Sequence, residues 1–156
     1  MSYNHKFMER AIELANQSVD GAGGPFGAVV VKDGTIVAEG TNSVTLNNDP
    51  TAHAEVSAIR AACAKLNTFD LSGCEVYTSC EPCPMCLASM YWARIERYYY
   101  GCTQYDAQQI GFDDSFIYEE ISLDKKSRKI ASAQLLHEEA LTAFQKWDKK
   151  EDKTEY

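Results

Sequence analysis

The chain has 156 residues, 45% hydrophobic and 24% charged, a balance ordinary for a globular domain and unlike that of disordered, collagen-like or low-complexity chains. Fifteen basic residues against twenty-three acidic ones leave a net charge of −8. Such a surface repels phosphate backbones, so nucleic acid is not expected as a partner and a small, weakly charged ligand is. No apolar run approaches the ~18 residues that cross a bilayer. The opening Met1–Lys6 lacks the apolar stretch of a leader, so no membrane partner and a cytoplasmic address are expected. At ~100–200 residues per domain, one domain over residues 1–156 is expected.

Residues 3–20 place Phe7, Met8, Ala11, Ile12, Ala15 and Val19 at spacings of three and four, which predicts an amphipathic helix. The glycine run Gly21–Pro25 follows that helix and precedes a strand. A phosphate-binding loop would follow a strand and open a helix, so a turn is predicted. Phe26–Val31 is β-rich and mostly apolar, a buried strand. Asp33-Gly34 signals a hairpin, with Thr35–Glu39 returning as its partner. Residues 40–50 read as a polar loop that ends with Asp49 as N-cap and Pro50 at the first helical position. The helix beyond carries Val56, Ile59, Cys63 and Leu66 on one face. Cys74–Ser79 is a third strand, a third helix runs through Leu87, Met90 and Tyr91, and Arg97–Tyr100 is a fourth strand. Residues 103–127 read as irregular and polar, with an acidic pair at Asp113-Asp114. Lys129-Ile130-Ala131 is a short fifth strand. Leu136, Ala140, Phe144 and Trp147 mark a last helix in a C-terminal segment (about 132–156) with a charged tail. Helices alternating with strands give an α/β domain in which helices cover a mixed sheet.

Six cysteines in a cytosolic chain point to metal ligation, catalysis or core packing rather than disulfides. Cys63, Cys74 and Cys102 suit small buried hydrophobes. Cys80, Cys83 and Cys86 repeat every three residues. Pro82-Cys83-Pro84-Met85-Cys86 and His53-Ala54-Glu55 both stand at predicted helix starts. Cysteines at i and i+3 lie on one helix face. An imidazole and two thiolates make three N/S ligands, and a catalytic zinc keeps its fourth position for water. Helix N-termini help keep the thiolates deprotonated. The interval of thirty positions from His53 to Cys83 leaves room for one helix and one strand, so two helix starts can meet at one sheet edge. Two residues along an ideal helix is a rotation of about 200°. Either His53 precedes the regular helix, or the Glu55 side chain curls back past the first turn. Pro82 pushes Glu81 toward an extended backbone, which places Cys80 at a strand end. The competing reading is a structural zinc with Cys80 or Cys74 as fourth ligand, in a zinc-stabilised interaction module.

H-x-E paired with P-C-x-x-C is the signature of zinc nucleobase deaminases. With Gly24–Val29, Glu39–Asn42, Asp49–Glu55 and Cys80–Cys86, the chain resembles the cytidine deaminase superfamily. The resemblance implies a three-layer α/β/α sandwich around a mixed five-stranded sheet, assembled as a homodimer or larger. It implies one zinc ion per subunit on His53, Cys83 and Cys86, with Glu55 as proton shuttle and Asn42 on the base. Hydrolytic deamination of a nucleobase follows, with guanine to xanthine and ammonia as the expected reaction. Adenosine in tRNA and cytosine are the alternatives. Guanine presents adjacent N–H donors, for which a carboxylate is the natural acceptor. Asp114 is favoured for this, with Asp113 close behind. Phe26 and Trp92 are candidate stacking surfaces, and Ala54 is counted among the substrate contacts. Tyr156 could fold over a pocket, its own or a partner's.

Overall fold

The computed structural model describes residues 4–156. The chain divides into two compact units, one up to Ser115 and one from Phe116 to Tyr156. In the first unit, α1 spans His5–Asp20, and the Asn4 side chain caps it by accepting from Lys6 N at 3.0 Å. The expected start of this helix, Tyr3, lies outside the described residues. β1 (Gly24–Lys32) and β2 (Thr35–Asn42) pair antiparallel. Asp33 and Gly34 join them with φ of 49° and 71°, the left-handed pair that a two-residue hairpin requires. Next come α2 (Val44–Asn47), α3 (Ala54–Leu66), β3 (Cys74–Cys80), α4 (Pro84–Trp92), β4 (Arg97–Cys102) and α5 (Gln104–Gln109).

The strands lie in the order β2-β1-β3-β4. β1 runs antiparallel to β3, and β3 runs parallel to β4 through the α4 crossover. Alternation along the strands sorts the core into two layers. Val29, Val31 and Tyr77 pack on Ala11 and Leu14 of α1. Ala28, Val30 and Val76 face Ala54, Ala58 and Ala62 of α3 and Met90 of α4. Helices therefore cover both faces, and the first unit is the expected three-layer sandwich.

Among the described residues the sheet has four strands, not five. Lys129-Ile130-Ala131 joins no ladder. The Lys129 amide donates to the Glu120 carboxylate at 2.7 Å, and the Arg128 guanidinium donates to the carbonyls of Glu120, Ile121 and Leu123. Local side-chain bonds take the place of strand pairing there. The loop expected over 40–50 is partly ordered, since β2 continues to Asn42 and α2 follows. Asp49 and Pro50 do not start α3. The Asp49 carboxylate instead accepts from the Thr51 amide and hydroxyl at 2.8 and 2.7 Å, an Asx turn that spends the capping group four residues early. The segment 103–127, expected to be irregular, contains α5, α6 (Ser115–Ser122) and one 3-10 turn. α5 is held by a capping box in which Thr103 and Asp106 satisfy each other's amides. In the second unit α7 spans His137–Asp148. Among the described residues no helix is long and apolar enough to cross a membrane.

Candidate active site

His53 and Cys83 occupy equivalent places on two neighbouring helices. His53 is the N-cap of α3 with φ −68° and ψ 158°; Cys83 is the N-cap of α4 with φ −68° and ψ 168°. Pro84 at the first helical position fixes the turn into α4. Neither side chain caps its own helix, so both are free to face each other across the gap. Cys86 follows in the first turn of α4. Both sulfurs lie 3.5 Å from His53 Nδ1, and all three donor atoms fall within 4.8 Å of one another.

The extended backbone at His53 removes the angular difficulty posed by its spacing to Glu55. His53 lies outside the regular helix, so the 200° rotation never applies. Glu55 sits in the first turn of α3 and is 6% exposed. Its Oε1 accepts from the Thr78 hydroxyl at 3.2 Å, and its Oε2 accepts from the Cys86 thiol at 3.3 Å.

The charges of the cluster are coupled. The Cys83 thiol is lowered to about 4, chiefly by its hydrogen bond with Cys86, with His53 adding a second. Cys86 is pushed up by the thiolate of Cys83 beside it, by burial and by Glu55. The hydrogen bond to Cys83 raises His53, and burial raises Glu55. Two sulfurs and one imidazole nitrogen sharing protons at this range form a donor set that suits zinc in kind and number. A dication there would satisfy all three at once.

The structure does not bring Cys80 into the cluster. Cys80 ends β3 on the strand side of Pro82, and its Sγ donates to the Thr103 carbonyl at 3.6 Å. Burial pushes its thiol up to about 12. Cys74 starts β3, six residues and ~20 Å of strand away from Cys80. Among the described residues the cluster that could hold a metal ion is His53, Cys83 and Cys86.

The other expected residues fall into place unevenly. Asn42 ends β2, buried, with its Oδ1 accepting from Val44 N at 3.3 Å. Ala54 is fully buried at the first position of α3. Phe26 packs edge-to-face on Phe112, ring centroids 5.0 Å apart at 89°. Asp113 and Asp114 part company. The Asp113 carboxylate accepts from the Ser115 amide at 2.9 Å and from Gln108 at 3.3 Å, on the surface. Asp114 is half-buried, its carboxyl raised first by burial and further by the charge of Cys83, and it acts on His53 in turn. Trp92 is not brought to this place. It is the last residue of α4, 70% exposed and ~12 Å along the helix from Pro84. Tyr156 belongs to the second unit.

Two residues at the site, Phe112 and Thr78, are absent from the sequence expectations. Phe112 carries no periodic signal, since it stands between a glycine and the acidic pair. Thr78 does carry one: alternation along β3 puts it on the same face as Val76, toward α3.

Residues 1–102 match the family described as the cytidine and deoxycytidylate deaminase zinc-binding region, and the chain belongs to that family of zinc-dependent deaminases. It is 54% identical over 155 residues to a guanine deaminase of Bacillus subtilis, covering 98% of this chain and 99% of that one. The X-ray structure of guanine deaminase from Bacillus subtilis superimposes with a TM-score of 0.95 at 52% identity, covering 99% of each chain. A tRNA-specific adenosine deaminase of Aquifex aeolicus is 44% identical over 91 residues, 58% of this chain and 60% of that one. A guanine deaminase structure from Nitrosomonas europaea gives a TM-score of 0.69 at 35% identity, covering 73% of this chain and 66% of that one.

Proposed function

We propose that this protein hydrolyses guanine to xanthine and ammonia. The observation that carries the choice of base is the half-buried Asp114 carboxylate, whose charge acts on His53 and which feels the charge of Cys83. It would offer the N–H donors of guanine a carboxylate acceptor. The full-length likeness to a guanine deaminase supports the same reading, as does the net charge of −8, which opposes a tRNA substrate.

His53, Cys83 and Cys86 would hold the zinc ion, which when bound supplies a Lewis acid that makes water a nucleophile near neutral pH. Glu55 accepts a proton from the attacking water and passes it to the ring nitrogen beside C2, which makes that carbon electrophilic. Hydroxide adds at C2, a second proton reaches the amino group, and ammonia leaves. One water is consumed, so guanine and water balance xanthine and ammonia. Asn42 hydrogen-bonds the base, the carbonyl-bearing turn at Ala54 lines its edge, and Phe26 with Phe112 forms an apolar wall. Burial that raises Glu55 helps it hold a proton between the two transfers.

The chain acts as one functional domain, as a homodimer in the cytoplasm, without nucleic acid. Self-association would cover the aromatic side chains exposed on the first unit, Tyr98 and Tyr100 on the edge strand β4 with Tyr91 and Trp92 on α4. All six cysteines are free thiols, as a reducing compartment allows. Incubating the zinc-loaded protein with guanine, cytosine, adenine and their nucleosides, and with tRNA, tests the reading. Ammonia is expected from guanine. No release from guanine, or faster release from adenosine in tRNA or from cytosine, overturns it.

A further inference from the structure

We propose that Thr78 is a positioning residue for Glu55, tethering Oε1 of its carboxylate so that Oε2 is the oxygen that carries the proton; this rests on the deaminase reading above. Glu55 has a long side chain on the first turn of α3, and three torsions must be fixed for its carboxylate to serve one reaction geometry. A Cys86 sulfur that holds zinc has no proton to donate, so its contact at 3.3 Å to Oε2 cannot fix them. The Thr78 hydroxyl, 3.2 Å from Oε1, is the stronger hold.

Thr78 is built to be rigid. It is 1% exposed. It lies in β3, with Ala28 of β1 opposite on one side and Tyr100 of β4 on the other. Its β-branched side chain is stiff about its first torsion. The same hydroxyl lies 3.1 Å from the Cys80 carbonyl. One hydroxyl thus stands between the carboxylate on α3 and the end of β3, three residues before Cys83. The hydroxyl has one proton, so it holds Oε1 only when it is turned from the Cys80 carbonyl, and the strand that carries it leads on to Cys83. Because Oε1 is engaged on the strand side, Oε2 is left facing the cluster, where Cys86 meets it.

A threonine on a buried strand commonly does no more than satisfy its own hydroxyl, and the test separates the two roles. Thr78→Val removes the hydroxyl at nearly constant volume; Thr78→Ser keeps it. In the zinc-loaded enzyme with guanine, Thr78→Val is expected to lower kcat by ~10–100-fold, with KM and zinc content within about twofold. Thr78→Ser should stay within about threefold of the parent. Crystal structures of both variants give a readout independent of turnover: the Glu55 carboxylate should swing off its place in Thr78→Val and keep it in Thr78→Ser. Should Thr78→Val not fold, Thr78→Ala against Thr78→Ser removes the same hydroxyl. A valine variant with kcat within about twofold of the parent overturns the proposal. So does a serine variant as slow as the valine one, or an unmoved carboxylate in the valine structure. If the parent protein releases no ammonia from guanine, the deaminase reading fails on its own, and the crystal structures still decide whether Thr78 orients Glu55.

Discussion

Gly40 of β2 lies so close beneath α3 that a Cβ added to it would overlap the Ala54 carbonyl oxygen and stand 2.5 Å from the Ala58 amide nitrogen. Both obstacles are backbone, which cannot rotate aside. Gly40→Ala must therefore lift the start of α3, and Ala54 stands between His53 and Glu55. The expected cost is about 1–3 kcal/mol of stability, or roughly 2–12 °C in Tm, with a fall in kcat as the two side chains move. Calorimetry and an ammonia assay check this, and an unchanged Tm would contradict the packing described for this helix.

The three donors and Cys80 make opposite predictions for metal content. His53→Ala, Cys83→Ala and Cys86→Ala should each lose zinc and turnover together, because two remaining donors make a poor site. Cys80→Ala should keep one equivalent of zinc per chain, since its sulfur is turned to the Thr103 carbonyl. Elemental analysis of the purified variants measures both. Loss of zinc in Cys80→Ala would restore the four-ligand structural reading.

Asp114 and Asp113 are adjacent in sequence yet should behave differently. Asp114→Ala should lower kcat/KM for guanine by about 100-fold or more, because the N–H donors of the base would be left unpaired in the pocket. Asp113→Ala removes a surface turn held to Ser115 and Gln108, and should stay within about threefold of the parent. Steady-state kinetics on the two variants decide it. Equal effects would remove Asp114 from base recognition.

Glu55→Gln should retain zinc and lose turnover by about 100–10,000-fold, the usual contribution of a positioned acid–base group. The same variant predicts a pH dependence of stability in the zinc-free protein. Burial raises the Glu55 carboxyl above its unfolded value, which is about 4.3. Below that pH Glu55 is protonated in both states and adds no penalty. As pH rises through the folded value, ionisation in the buried site removes stability from the parent but not from the glutamine variant. The Tm of Glu55→Gln relative to the parent should therefore climb from pH 4 upward, and a difference that stays flat would contradict the burial.

Where side chains met their partners through regular periodicity, the sequence was readable. Phe7, Ala11 and the strand Phe26–Val31 announce α1 and β1, and Asp33-Gly34 announces the hairpin between them. The cluster of His53, Cys83 and Cys86 was legible because its residue types have few other uses in that spacing. The misplaced features share a different cause. Asp49 and Pro50 are a sound capping signal that the chain uses for a turn instead, and α5 has only the Thr103–Asp106 box to mark it among polar residues. Lys129-Ile130-Ala131 has strand-like composition but no strand beside it. Asp113 and Asp114 differ only in which neighbours their carboxylates reach, and adjacency in sequence holds no record of that.

The carbonyls of His53 and Cys83 accept from Ser57 N and Leu87 N, each at 2.9 Å, so both residues close the opening turn of a helix. The donor atoms are thus registered to the ends of α3 and α4 and not to their middles. Exposed residues past the first turn of either helix can change without moving these side chains. A single-residue insertion at either opening turn would swing a donor through about 100°. Lineages carrying this arrangement should accept length changes in the loops that precede these two helices far more readily than in the turns that begin them.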